Sequence, residues 1–238
     1  MIRGISHAAS AMVARAKQQD AIANNLANAE TAGFKRESIF MRRLEAAQTD
    51  ASQPWFIPLQ QEKYTDFTQG PLDITGNPFH QAIDGPGFFV VEAPEGERYT
   101  RSGNFTLNEE GQLVTSDGYP VLGDSGPIVL TSDNFVVGER GEVSENGVER
   151  GRLRVVSFTT PQTLTPLGRN LFTTTEEAQP DAQSLVRQGY IERANFDLVQ
   201  QMVEMMTIFR YFETAQKAVQ IQDASLDRAV NQVGRIQR

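Results

Sequence analysis

The chain has 238 residues, with 22 Lys and Arg against 30 Asp and Glu and a formal net charge of −8. That balance argues against non-specific nucleic-acid binding, which runs on counterion release by basic residues. Cysteine is absent, which removes disulfides, thiolate metal sites, iron–sulfur clusters and a cysteine nucleophile together. The length allows one large domain or two small ones.

The charge is unevenly spread. Residues 1–36 hold five basic and two acidic side chains, residues 37–180 hold 10 and 21, and residues 181–238 hold seven of each. All 11 prolines lie between Pro54 and Pro180, and 15 of the 19 glycines fall in residues 37–180. Proline breaks helices and glycine supplies turn conformations. The pattern therefore predicts an α+β chain, with a turn-rich β centre between two helical ends.

Taken in order, residues 1–36 form an N-terminal helical segment. Ile5, Ala9, Met12, Ala16, Ala23 and Leu26 follow 4–3 spacing, interrupted by Gln19. Half of these positions are alanine, so the stripe is thin and buries little area. Asn24, Asn25 and Asn28 are weak helix formers, and Thr31-Ala32-Gly33 is a stop signal. Arg15, Lys17 and Asp20 interrupt any apolar run, so no cleaved secretory signal is expected here. No run of 18 apolar residues is present, and no membrane insertion is expected.

Residues 37–80 read as an extended connector and residues 81–160 as a domain of antiparallel hairpins. Expected strands include Gly87–Glu92, Arg98–Arg101, Phe105–Leu107, Gln112–Thr115, Tyr119–Leu122, Ile128–Leu130, Phe135–Val137 and Leu153–Phe158. Asp117-Gly118 between two alternating runs is a hairpin signal. Residues 161–190 read as a second, irregular connector.

Residues 191–238 carry the strongest periodicity. Leu198, Met202, Met205, Phe209, Phe212, Gln216, Val219, Asp223, Leu226, Val230 and Val233 keep 4–3 spacing, and nine of these 11 are apolar. Sustained 3.5-residue periodicity predicts a coiled-coil helix. Asn195 is a candidate N-cap. From there to Ile236 the helix spans about 60 Å, against roughly 36 Å for the N-terminal one. Two readings stay open: an intramolecular helix pair, or helices that assemble with other chains. A lone helix with an exposed stripe is marginal in water, so ends that order on binding are expected in a monomer.

No catalytic constellation stands out. Gly123-Asp124-Ser125-Gly126-Pro127 has the look of a serine-hydrolase nucleophile loop, but such enzymes need a histidine base oriented by a carboxylate. Only His7 and His80 are available, and neither sits in a supporting motif. A tight turn is the simpler reading of Ser125 and its neighbours. Neither a cofactor nor a catalytic, cofactor-binding or metal site is expected.

Four stretches carry a family resemblance: Ala23–Lys35 (ANNLANAETAGFK), Ala82–Glu92 (AIDGPGFFVVE), Tyr99–Gly123 (YTRSGNFTLNEEGQLVTSDGYPVLG) and Arg187–Met206 (RQGYIERANFDLVQQMVEMM). They resemble the bacterial flagellar axial proteins of the rod, hook and hook-associated group. Within that family, Gly151–Phe158 (GRLRVVSF) and Thr165–Phe172 (TPLGRNLF) are most similar to proximal-rod members, with distal-rod or hook-type subunits as the alternative. The start of the N-terminal helix departs from the family's usual Ser-Gly-Leu step.

The resemblance implies a non-enzymatic subunit of the periplasmic basal-body rod, serving motility. Such a subunit is exported unfolded by the flagellar type III apparatus without a cleaved signal. It assembles with other rod subunits into a helical tube. The resemblance also implies that the two terminal helices pair in an inner domain with the β-domain outside. It carries an assembly motif over to Asn24, Asn25, Leu26, Asn28, Thr31, Gly33 and Phe34. It places Ile5, Met12, Leu198, Met202, Met205, Phe209, Phe212, Val219, Leu226 and Val230 on the assembling helices.

Overall fold

A computed structural model describes residues 2–43 and 59–236. The chain forms two compact units. One comprises Met1–Ala27, Glu37–Tyr64 and Asp197–Arg238, and the other Asn28–Arg36 and Thr65–Phe196.

The first unit contains helices α1 (Ile2–Ala27) and α2 (Leu198–Ile236), and the strand Glu37–Arg43 paired with Leu59–Thr65, whose last residue falls in the second unit. At 1.5 Å per residue, the 39 residues of α2 span about 58 Å. Its N-cap is Asp197, whose Oδ1 accepts from the Gln200 N–H at 2.9 Å. Asn195, expected to cap, is used elsewhere, because an aspartate three residues before Gln200 already fills that role. No helix among the described residues is long and apolar enough to cross a membrane.

The helices lie side by side and antiparallel. Asn25 on α1 meets Gln201 on α2, and Arg15 sits over the ring of Tyr211. Among the described side chains of α1, the buried ones are Ala14, Ala21, Ile22 and Asn25. The phase expected from Met12, Ala16 and Ala23 is therefore off, and Ala23 is exposed. Alanine occurs on every face of this helix, so apolar spacing defines its phase poorly. On α2 the seam runs through Gln201, Met205, Ile208, Phe212, Ala215, Val219, Gln222 and Leu226, all buried or half-buried.

The second unit is built on a six-stranded antiparallel sheet. Its order is Thr165–Gly168, Leu171–Thr173, Gly96–Thr100, Phe88–Ala93, Val155–Ser157, Gln179–Pro180. Residues 161–190 are thus no connector: they supply three strands of this sheet, and Leu185–Gln188 pairs with Gln81–Asp84. The strands are short and broken by Pro166, Gly168 and Pro180, which hid their periodicity. Likewise, Leu72–Ile74 in the other expected connector pairs with Tyr190–Glu192.

Phe88 to Val91 are at most 1% exposed. Successive side chains of a strand point to opposite faces, so Phe88 and Val90 join one cluster with Tyr99, Val156 and Phe172, while Phe89 and Val91 join another with Phe105, Leu113 and Val143. A strand buried on both faces is the centre of this unit. Ile128–Leu130, expected as a strand, forms only an isolated bridge at Val129, although Ile128 and Leu130 fill the core.

A three-stranded sheet joins Phe135–Val137, Glu142–Glu145 and Val148–Arg152. Its hairpin turns at Asn146-Gly147, both at positive φ (52° and 80°), the conformation that two-residue hairpins need. Beside this turn the buried Glu145 carboxylate accepts from the Thr131 hydroxyl (2.7 Å) and N–H (2.9 Å), the Ser132 hydroxyl (2.9 Å) and Arg150 Nε (2.8 Å). These bonds, that from the Thr131 hydroxyl foremost, hold its pKa down from 4.5 to about 2.

A depressed carboxylate pKa stabilises the fold above its ordinary value, and this contribution is lost as pH falls through the folded value. Acid titration should therefore draw stability from Glu145 between pH 4.5 and about 2. The Glu145→Gln chain should lose stability at pH 7 and show a shallower acid limb in urea midpoints measured against pH. A second expectation concerns the centre. Phe89→Ala should cost about 3–5 kcal/mol, as for other large-to-small core changes, in urea unfolding followed by far-UV circular dichroism.

Candidate functional site

The most elaborate polar construction in the β unit lies where the chain enters and leaves it. Glu192 ends the strand Tyr190–Glu192, and its side chain is wholly buried. One carboxylate oxygen meets Lys35 Nζ at 2.6 Å and the Gly70 N–H at 2.8 Å, and the other meets Arg101 Nη1 at 3.4 Å. Lys35 also donates to the Thr68 carbonyl and Arg101 to the Gly85 carbonyl, each at 2.7 Å. The Arg101 guanidinium stacks over Phe88, 4.9 Å from the ring centroid. Burial lowers the pKa of Lys35, and Glu192 partly opposes it; burial lowers that of Arg101 in the same way. Two buried cations face one buried carboxylate, with Asp66 and Asp181 adding distant negative charge.

Around this cluster the entering and leaving segments are bonded together. The Gly33 N–H donates to the Glu192 carbonyl at 2.7 Å, and the Arg36 N–H to Asn195 Oδ1 at 2.8 Å. Asn195 Nδ2 in turn donates to the carbonyls of Asp66 (2.7 Å) and Thr68 (3.1 Å). Phe34 packs edge-on against Phe196. Gly33 has φ +67°, and a Cβ there would come within 2.3 Å of the Arg101 backbone. Only glycine fits this crossing.

The expected motif is divided between the units. Asn24, Asn25 and Leu26 belong to α1. The Asn25 amide, 1% exposed, grips both backbone groups of Glu37: Nδ2 donates to the carbonyl at 2.8 Å, and Oδ1 accepts from the N–H at 2.9 Å. Asn24 Nδ2 reaches Glu37 Oε2, as does Lys63. Asn28, Thr31, Gly33 and Phe34 lie in the β unit. There the Thr31 N–H donates to the Asn28 carbonyl, and the Asn170 amide to the Ala32 carbonyl.

The helix residues divide differently. Met205, Phe212, Val219 and Leu226 lie on the seam with α1, and Met12 is half-buried. Leu198, Met202 and Phe209 are about half exposed. The side chains of Ile5 and Val230 lie outside the described residues. Sequence reasoning missed Lys35, Arg101 and Glu192, although each sits inside one of the stretches that carry the resemblance.

Ser125 sits exposed in the turn between Leu122–Gly123 and Gly126–Pro127. Both ring nitrogens of His80 are engaged by Thr75 and Asn77. A cavity of about 330 Å³ in the helical unit is lined by Lys17, Asp20, Glu37 and Lys63 among others, a charge-balanced set.

Three family descriptions match this chain in order: "Flagella basal body rod protein" over residues 5–35, "Flagellar hook protein FlgE/F/G D1 domain" over 82–145, and "Flagellar basal body rod FlgEFG protein C-terminal" over 187–232. The flagellar basal-body rod protein FlgF of Caulobacter vibrioides is 37% identical, over 92% of this chain and 93% of that protein. The flagellar hook-basal body complex protein FlhO of Bacillus subtilis is 31% identical over 99% and 100%, and the rod protein FlgG of Borreliella burgdorferi 30% over 97% and 98%. The chain belongs to the flagellar basal-body rod protein family. It is a structural protein of the flagellar basal body, not an enzyme.

Removing one partner of a buried ion cluster leaves uncompensated charge, at about 3–5 kcal/mol. Glu192→Ala, which strands Lys35 and Arg101, should lower stability by that order in urea unfolding. An unchanged urea midpoint would remove the cluster from any structural role.

Proposed function

We propose that this chain is a proximal-rod subunit that assembles with other rod subunits into a helical axial tube through its terminal helices. The observation that carries this reading is a second apolar face on α2, beyond its seam with α1, that stays exposed. The seam against α1 already buries or half-buries Met205, Ile208, Phe212, Val219 and Leu226, with Gln201 meeting Asn25. About a third of a turn away, Leu198, Val199, Met202, Val203, Met206 and Phe209 are 47–68% exposed. A helix that carries apolar residues on a face beyond its seam has that face to bury against a further partner.

A repeated head-to-tail contact whose rotation does not close yields a helical filament, and a long apolar stripe supplies such a contact. The antiparallel α1–α2 pair with 4–3 seam spacing supports a coiled coil as the assembling element, with Asn24, Asn25, Leu26, Asn28, Thr31, Gly33 and Phe34 as its shared motif. The identity to FlgF supports a proximal position. In this reading the chain reaches the periplasm through the flagellar type III export apparatus without a cleaved signal. The terminal helices then order on joining the rod, and protease digestion of the free subunit trims them before the β unit.

Phe209→Asp places a charge on the exposed face without touching the seam. It should abolish rod assembly in the native bacterium, scored by basal bodies isolated for electron microscopy. The β unit should keep its wild-type urea midpoint. Normal rods with Phe209→Asp would sink the reading.

A further inference from the structure

We propose that Met202 and Met206 form an oxidation site that switches the exposed face of α2 between an associating and a non-associating state. The proposal rests on the assembly reading above and adds a chemical control to it.

The two thioethers stand four residues apart, hence on one side of the helix. Met202 is 52% and Met206 56% exposed. They sit amid Leu198, Val199, Val203 and Phe209, so they form the middle of the apolar face rather than its rim. Met205, between them in sequence, turns into the α1 seam and is half-buried, as is Met12. Peroxides act on accessible sulfur. One oxygen atom passes from hydrogen peroxide to the thioether, the O–O bond breaks, the sulfur is oxidised to a sulfoxide and the peroxide is reduced to water. The product is polar and chiral where the reactant was apolar and flexible, and Met-rich interfaces lose affinity on this change. Two adjacent sulfoxides would place strong acceptors at the centre of the face that α2 offers a neighbouring subunit. Burial between subunits would shield both sulfurs, so the switch acts on free chains and not on the assembled tube. Sulfoxide reduction restores the thioether.

The test treats the purified full chain with hydrogen peroxide and follows two readouts. Peptide mapping by mass spectrometry should show Met202 and Met206 gaining one oxygen before Met12 and Met205. Sedimentation at rising concentration should show association by the untreated chain and its loss after treatment. The M202L/M206L chain, apolar but without thioethers at these positions, should associate and remain insensitive to peroxide. Equal oxidation of Met205, undiminished association after treatment, or peroxide sensitivity in M202L/M206L would each overturn the proposal. A chain that oxidises selectively but never associates would overturn the assembly reading and the switch with it, while leaving the map of sulfur accessibility standing.

Discussion

A single buried carboxylate organises the β unit. Glu192 takes Lys35, Arg101 and the Gly70 N–H, and so ties together four segments far apart in sequence. Its energy is not what makes it matter, because desolvation cancels much of the Coulomb attraction in a buried cluster. Its effect is on register. If the segment 33–35 slipped by one residue, Lys35 would leave the carboxylate and a non-glycine residue would take the place of Gly33. Either change buries an unpaired charge or drives a Cβ into the Arg101 backbone. The chain therefore enters and leaves this unit at one fixed place, where Arg36 and Asn195 are hydrogen-bonded.

The helical unit solves a different problem. Two of the four buried side chains described on α1 are alanine, which permits close approach but contributes little transfer free energy. Specific polar contacts then have to set the phase. Asn25 does this with both faces of its amide on Glu37 and a further contact to Gln201. Its burial without those partners would cost more than the alanine seam nearby returns. A polar residue of low helix propensity near the end of α1 thus defines how α1 and the strand from Glu37 fit together.

These two devices mark where the sequence was readable and where it was not. Proline and glycine placement revealed the α+β division, and Gly87–Glu92 was legible as a strand. Gly33 was picked out from its motif, and its φ of +67° supplies the reason. The strands in 161–190 were missed because each is two to four residues long, too short for an alternating pattern to build up. The charged cluster was missed because lysine, arginine and glutamate are ordinarily surface residues. Nothing local distinguishes Lys35 from any exposed lysine. Its partners lie at Arg101 and Glu192, and only the pairing of distant segments brings them together. The one available hint was positional, since each of the three charges falls within a stretch shared with the family.

Helix α2 shows how a correct period can conceal two phases. Apolar residues at 198, 199, 202, 203, 205, 206, 208, 209 and 212 satisfy 4–3 spacing along more than one line. One line, through Gln201, Met205, Ile208 and Phe212, lies against α1. The other, through Leu198, Met202 and Phe209, remains in solvent. Period alone cannot separate them, because 3.5-residue spacing constrains the pitch of a stripe and not its width. The separation comes from the partner: Asn25 meets Gln201, which sets the line through Met205, Ile208 and Phe212 against α1. The same amide that sets the phase of α1 therefore decides which face of α2 is left uncovered.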